Sequence, residues 1–147
     1  MSWKVLITAR TFNEVGGLAH ENLKSAGCEV IVPDRFGPHA EADLLPLLRG
    51  VDAVLCSPDQ YTEAVLNSPE AVTLKIISRW GVGYDSIDHA AAAQAGVVVS
   101  FTPGVLNETV ADYTFALLLS VARRVHAGHL GMASGEWNLF WGHDVHG

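Results

Sequence analysis

Arg79-Trp80-Gly81-Val82-Gly83-Tyr84-Asp85 places a permanent cation beside two glycines. Glycine allows a turn tight enough for successive backbone N–H groups to converge on one anion. Arg79 adds a formal positive charge to that turn, so a small carboxylate is the ligand the loop suits. Two other loops carry usable groups: Ser57-Pro58-Asp59 and Thr102-Pro103-Gly104-Val105-Leu106-Asn107. Asp85 and Asp88 could act as an acid and a base, but Asp85 reads better as a helix cap. His89 reads as a solvated helix residue. No Ser-His-Asp or Cys-His spacing places a nucleophile at a strand end.

Several familiar site types are poor matches. A dinucleotide fingerprint starting at Gly81-Val82-Gly83 needs a third glycine where Ser86 stands, and an acidic residue after the next strand, where Ser100 and Thr102 stand. A phospho-accepting receiver needs carboxylates where Thr8-Ala9-Arg10 stands, and a lysine near Thr102. A flavin-phosphate loop needs more hydroxyls than Thr8 and Thr11. His126/His129 and His143/His146 are pairs three apart without a third ligand at metal spacing, so no metal site is expected.

The elements that would carry these loops alternate in type. Lys4–Thr8, Glu29–Val32, Asp52–Cys56, Leu74–Ser78 and Val97–Ser100 are short apolar, largely β-branched runs that read as strands. Helical spacing is expected over residues 13 to 26, capped by Asn13 and stopped by Gly27. Further helices are expected over 41 to 48 with a misfit at Pro46, over 62 to 66 with Thr62 or Tyr61 near its cap, and over 87 to 95 stopped by Gly96. Strands apolar on both faces, alternating with helices, predict an α/β fold: a flavodoxin-like, doubly wound, parallel five-stranded sheet. A long helix from 107 to 125 follows. Its middle, Tyr113 to Ala122, is apolar nearly all round and calls for burial on more than one side. Acidic Glu108 and Asp112 near its start and Arg123 and Arg124 near its end match the helix dipole. The Trp137, Phe140 and Trp141 side chains of the tail look like anchors for a further surface.

Composition narrows the partners. The 147 residues are 49% apolar and carry a net charge of −7 with nine Lys and Arg, which disfavours nucleic acid and anionic membrane. The apolar runs are far shorter than the ~20 residues of a membrane span. Cys28 and Cys56 read as separate reduced thiols, and the chain as cytoplasmic.

The two glycine-bearing loops together carry a resemblance. Ile77-Ser78-Arg79-Trp80-Gly81-Val82-Gly83-Tyr84-Asp85-Ser86-Ile87-Asp88 and Thr102-Pro103-Gly104-Val105-Leu106-Asn107-Glu108-Thr109-Val110-Ala111-Asp112 resemble the D-isomer-specific 2-hydroxyacid dehydrogenases. Leu117 to Arg124 and Gly135-Glu136-Trp137 fit the same pattern. The resemblance implies a substrate (lid) domain over 1–101, and an interdomain and dimerisation helix with tail over 102–147. It implies that Val82 and Gly83 offer backbone N–H groups to the carboxylate of a 2-oxo or 2-hydroxy acid, and that Arg79 matches a basic residue that helps to hold the substrate phosphate in phosphoglycerate dehydrogenases; Ser57, read from its strand-end loop, is a further expected substrate contact. Val82 and Val110 are implied contacts of NAD or NADP in the full-length enzyme. The family's Rossmann domain, with its glycine-rich loop and catalytic Arg, Glu and His, is expected beyond residue 147. No catalytic residue is therefore assigned, the chain alone is expected to be inactive, and no tight cofactor binding to it is expected. Two departures stand out: Cys56-Ser57 where phosphoglycerate enzymes carry an Arg, and Asp112 where Glu is usual. A homodimer through residues 107–125 is expected. The alternative is a free-standing flavodoxin-like module that binds a small anion or serves as a scaffold.

Overall fold

The computed structural model describes residues 2–146. They divide into two compact units, the boundary falling after Pro103.

The first unit is built on five parallel strands: β1 (Lys4–Ile7), β2 (Glu29–Ile31), β3 (Ala53–Cys56), β4 (Ile76–Arg79) and β5 (Val98–Ser100). Their order across the sheet is β2-β1-β3-β4-β5. This is the doubly wound, flavodoxin-like arrangement that the alternating pattern predicts. Right-handed crossovers send the chain to one face after β1 and to the other after β2, β3 and β4, so both faces are covered. One face packs Ile7, Ala9 and Phe12 with Leu55 and Leu23. The other holds the larger cluster, with Leu6, Leu44, Val54, Tyr61, Val65, Ile77 and Ile87 among its members.

The helices depart from expectation in detail. The segment expected over 13 to 26 is two helices, α1 (Arg10–Val15) and α2 (Gly17–Ser25), broken at Gly16. A Cβ at Gly16 would lie 2.5 Å from the Phe12 carbonyl oxygen, so the break folds back too tightly for a side chain. Asn13 thus lies inside α1, and the position before that helix is Ala9, which has no capping side chain. Pro46 ends α3 (Glu41–Leu44) and starts a 3-10 turn over Leu45–Leu48, because its missing N–H cannot continue the α-helical ladder. Thr62 caps α4 (Glu63–Leu66) as expected, accepting the Val65 N–H. The helix after β4, α5 (His89–Gln94), starts later than expected and is capped by Asp88, whose carboxylate accepts the Ala91 N–H at 2.9 Å. Asp85 does not cap it.

The second unit contains α6 (Asn107–Ala122) and α7 (Val125–Ala133). The long helix therefore stops before residue 125, because Arg124 adopts left-handed backbone (φ 54°) and turns the chain. None of the α6 side chains is buried; Tyr113, Phe115, Leu117, Leu118, Leu119 and Val121 are all exposed. No helix among the described residues is long and apolar enough to cross a membrane.

Candidate functional site

At the carboxyl ends of β1 and β3 the crossovers diverge, and in open α/β sheets ligands gather in such a crevice. Here the chain fills it. The Gly37–His39 segment runs over the strand ends, with the Gly37 N–H donating to the Thr8 carbonyl at 3.0 Å. Beneath it, the fully buried Asp59 accepts the Thr8 hydroxyl on Oδ2. Its Oδ1 accepts the His39 backbone N–H at 2.7 Å and lies 2.9 Å from the His39 ring Nδ1. The other ring nitrogen lies 3.1 Å from the Arg35 carbonyl oxygen. A buried carboxylate is costly unless it is paired and hydrogen-bonded, and this one is both. A Cβ at Gly37 would come within 2.1 Å of Asp59 Oδ1, so only glycine passes here. The network ties three separate segments into a rigid floor.

One strand further along, the loop after β4 is held on several sides. Its first N–H, that of Trp80, donates to the Cys56 carbonyl at 3.1 Å. The Trp80 ring meets Phe12 of α1 edge-on, with centroids 5.3 Å apart. The Gly81 carbonyl accepts the Thr102 N–H at 3.1 Å. Tyr84 rests against Phe101, centroids 4.9 Å apart, and meets His89 edge-on. Between these anchors lie Val82 and Gly83. Among the described residues, no protein acceptor takes the N–H of either. The N–H groups of Tyr84, Asp85 and Ser86 are unpaired as well, so the loop carries a run of free donors that an anion can meet.

Arg79, the last residue of β4, curls back over its own loop, and Nη1 donates to the Trp80 carbonyl. A Cβ at Gly81 would lie 2.7–2.9 Å from the guanidinium atoms, and Gly81 has φ +148°. The positive φ calls for glycine, and a side chain there would also push the guanidinium off the loop. Ser57, after β3, packs against Gly37 and is half-buried. The structure thus gathers Ser57, Arg79, Val82 and Gly83 at neighbouring strand ends, as β3 pairs with β4 through Cys56 and Arg79. Val110 lies on α6 in the second unit and is exposed.

The other ionisable groups near the floor are set by burial. Burial and the Asp59 charge push the Cys56 thiol up to about 12, with Arg79 opposing. A thiol held protonated is a weak nucleophile, so Cys56 is packing. Burial also raises the Tyr61 phenol well above its usual value, with Cys56 and Asp59 adding to the effect. A cavity of about 750 Å³ beside the loop is lined by Glu41, Tyr84, Asp85, Asp88 and His89 among others. Its carboxylates make it a poor seat for an acid.

Residues 6–135 match the family model described as the catalytic domain of D-isomer specific 2-hydroxyacid dehydrogenases. The chain belongs to that family. A glyoxylate reductase of Thermofilum pendens is 36% identical over 116 residues, which span 78% of this chain and 34% of that protein. The crystal structure of the TT0316 protein of Thermus thermophilus superposes with a TM-score of 0.83 at 36% identity, covering 98% of this chain and 46% of that one. An NADPH-dependent glyoxylate/hydroxypyruvate reductase of Sinorhizobium meliloti, solved with NADP and malonate, gives a TM-score of 0.74 at 25% identity over 100% of this chain and 44% of its own. The chain spans about a third of the curated relative's length and under half of these solved chains.

Family members use NAD or NADP, and the Gly81–Gly83 loop of this 2-hydroxyacid dehydrogenase chain does not have the strand–turn–helix form of a pyrophosphate cradle. The Gly81–Gly83 loop does not open directly into a helix: α5 begins at His89, and Asp88 already takes one of its free N–H groups. The N-terminal potential of α5 therefore lies away from this loop. The residues that sequence reasoning missed are Thr8, Gly37 and His39. Their partners are 51, 22 and 20 positions away at Asp59, so no local spacing could reveal them.

Proposed function

We propose that this chain is the substrate-binding portion of an NAD(P)-dependent oxidoreductase acting on the CH–OH group of a D-2-hydroxy acid of the phosphoglycerate, glycerate or glyoxylate type. The observation that carries the reading is the pair of unengaged N–H groups at Val82 and Gly83 on a loop braced from several sides. They bind the carboxylate of the 2-oxo or 2-hydroxy acid, and the partly exposed Val82 side chain flanks it. Arg79 acts mainly by holding the loop in shape, and its charge adds attraction. Ser57 lines the neighbouring strand end. Hydride passes between the nicotinamide and the acid's C2 when the cofactor is bound; the residues here bind and orient the acid. The first unit, ending within two residues of the expected boundary at 101, is the lid, and the remainder is its link to a Rossmann domain. Val82 and Val110 are cofactor contacts on the strength of the family resemblance. The chain by itself is inactive in this reading, and it resides in the cytoplasm, where Cys28 and Cys56 stay unpaired.

The exposed apolar residues of α6 support a homodimer through residues 107–125, since single chains of this size seldom expose such a stripe.

Gly81→Ala tests the site. The new methyl meets the Arg79 guanidinium and the backbone cannot keep its φ, so the two amides are displaced. Glyoxylate affinity measured by calorimetry is expected to fall at least about tenfold, a loss matching the ~1–3 kcal/mol of such strain. Unchanged affinity in a folded variant would place the acid elsewhere and favour a scaffold module.

A further inference from the structure

Of the seven histidines, His39 alone is buried among the described residues. Both of its ring nitrogens face acceptors: Nδ1 lies 2.9 Å from Asp59 Oδ1, and Nε2 lies 3.1 Å from the Arg35 carbonyl oxygen. A neutral imidazole carries one ring hydrogen and one lone pair, so one of these contacts would set a lone pair against an oxygen. An imidazolium satisfies both. The carboxylate is arranged for the same charge state. Its Oδ2 accepts the Thr8 hydroxyl, and Oδ1 accepts the His39 backbone N–H at 2.7 Å as well as the ring. Three donors converging on one carboxylate favour the anion, so the proton of the pair sits on the ring.

The imidazolium is the only cation among the hydrogen-bond partners that the described residues give Asp59. On the core side, Cys56 and Tyr61 sense the Asp59 charge and are held protonated by burial. On the solvent side, Asp34 is exposed and Arg35 pairs with Asp43. Loss of the ring proton would therefore leave a fully buried carboxylate without a counter-charge. The same residues tie down the segment that crosses the strand ends: the Gly37 N–H donates to the Thr8 carbonyl at 3.0 Å, and the His39 carbonyl accepts the Gln60 N–H at 3.1 Å.

We propose that Gly37–His39 is a pH-sensitive strap, clasped by a buried imidazolium–carboxylate pair and released when that pair loses its proton in alkaline solution. Release uncovers the crevice at the ends of β1 and β3 that the strap now fills. The sign follows from linkage. An imidazole in the unfolded chain gives up its proton above about pH 6.5, while the folded pair still holds it, so the clasp contributes most in mild acid and less as pH rises.

The test uses the full 147-residue chain with 15N in its histidine rings and backbone. At neutral pH both ring nitrogens of His39 should carry a proton; a bare nitrogen overturns the proposal. In alkaline solution, loss of that proton should shift the Gly37 and His39 backbone amides on one common curve. A ring that titrates while those two amides stay unmoved also overturns it. His39→Gln keeps a donor but cannot carry the charge. The ratio of the wild-type to variant unfolding constants in urea should rise at least about tenfold from neutral to alkaline pH, as expected when a buried pair is broken. An equal pH dependence in the two proteins contradicts the proposal, and if the variant does not fold, the wild-type spectra decide it.

Discussion

Tyr61 shows how single residues are constrained beneath the site. It is fully buried, and its hydroxyl has no hydrogen-bond partner among the described residues. A buried hydroxyl without a partner costs about 1–3 kcal/mol. Tyr61→Phe is therefore expected to stabilise the chain by about 1 kcal/mol in urea unfolding; destabilisation would mean that the hydroxyl is satisfied in solution. Asp59 is the opposite case, a buried carboxylate with every neighbour supplied, and it is fixed for that reason. At this scale the sequence was only partly legible. Gly81 and Gly83 announce a turn, and the turn is there. That Arg79 folds back on Gly81, and that Thr8, His39 and Asp59 meet, depends on strand order and could not be read from spacing. Asp85 and Asp88 both suit a cap; the Tyr61–Ile87 bridge draws the chain onward and delays the helix, so Asp88 is the one used.

Among the elements, the five strands were legible because burial on both faces leaves apolar runs with little ambiguity. Helix limits were less so, since Gly16 and Arg124 break helices where composition alone shows a continuous pattern. Asp52 illustrates how the strands are joined at their amino ends. Its carboxylate accepts the Lys4 N–H at 3.0 Å and pairs with Lys75, while its backbone carbonyl accepts the Lys75 N–H at 2.8 Å. The Lys4 hydrogen bond, followed by that of Lys75, holds the Asp52 carboxyl below its ordinary value of 3.8. A depressed folded-state value means stabilisation that is complete above the unfolded value and lost as pH falls through the folded one. The stability gap between wild type and Asp52→Asn should thus be full at neutral pH and should close below pH 3.8. Acid unfolding curves check this; a gap that persists or widens in acid would contradict it.

For the molecule as a whole, the open question is what covers α6. Each exposed Leu or Phe forgoes ~1.5–3 kcal/mol relative to burial, so a stripe of them favours association. Light scattering at high micromolar concentration should give a dimer mass, and Leu118→Glu should return it to a monomer. A monomer in the wild type would count against the proposed interface. Whichever surface covers the helix, the proposed acid site belongs to the first unit and can be examined directly. The most direct measurement is a 15N–1H spectrum of the chain titrated with glyoxylate. The Val82 and Gly83 amide protons should move downfield together, saturating on one curve, as donors do on gaining a charged acceptor. Saturable shifts confined to other loops, with these two resonances unmoved, would contradict the central claim.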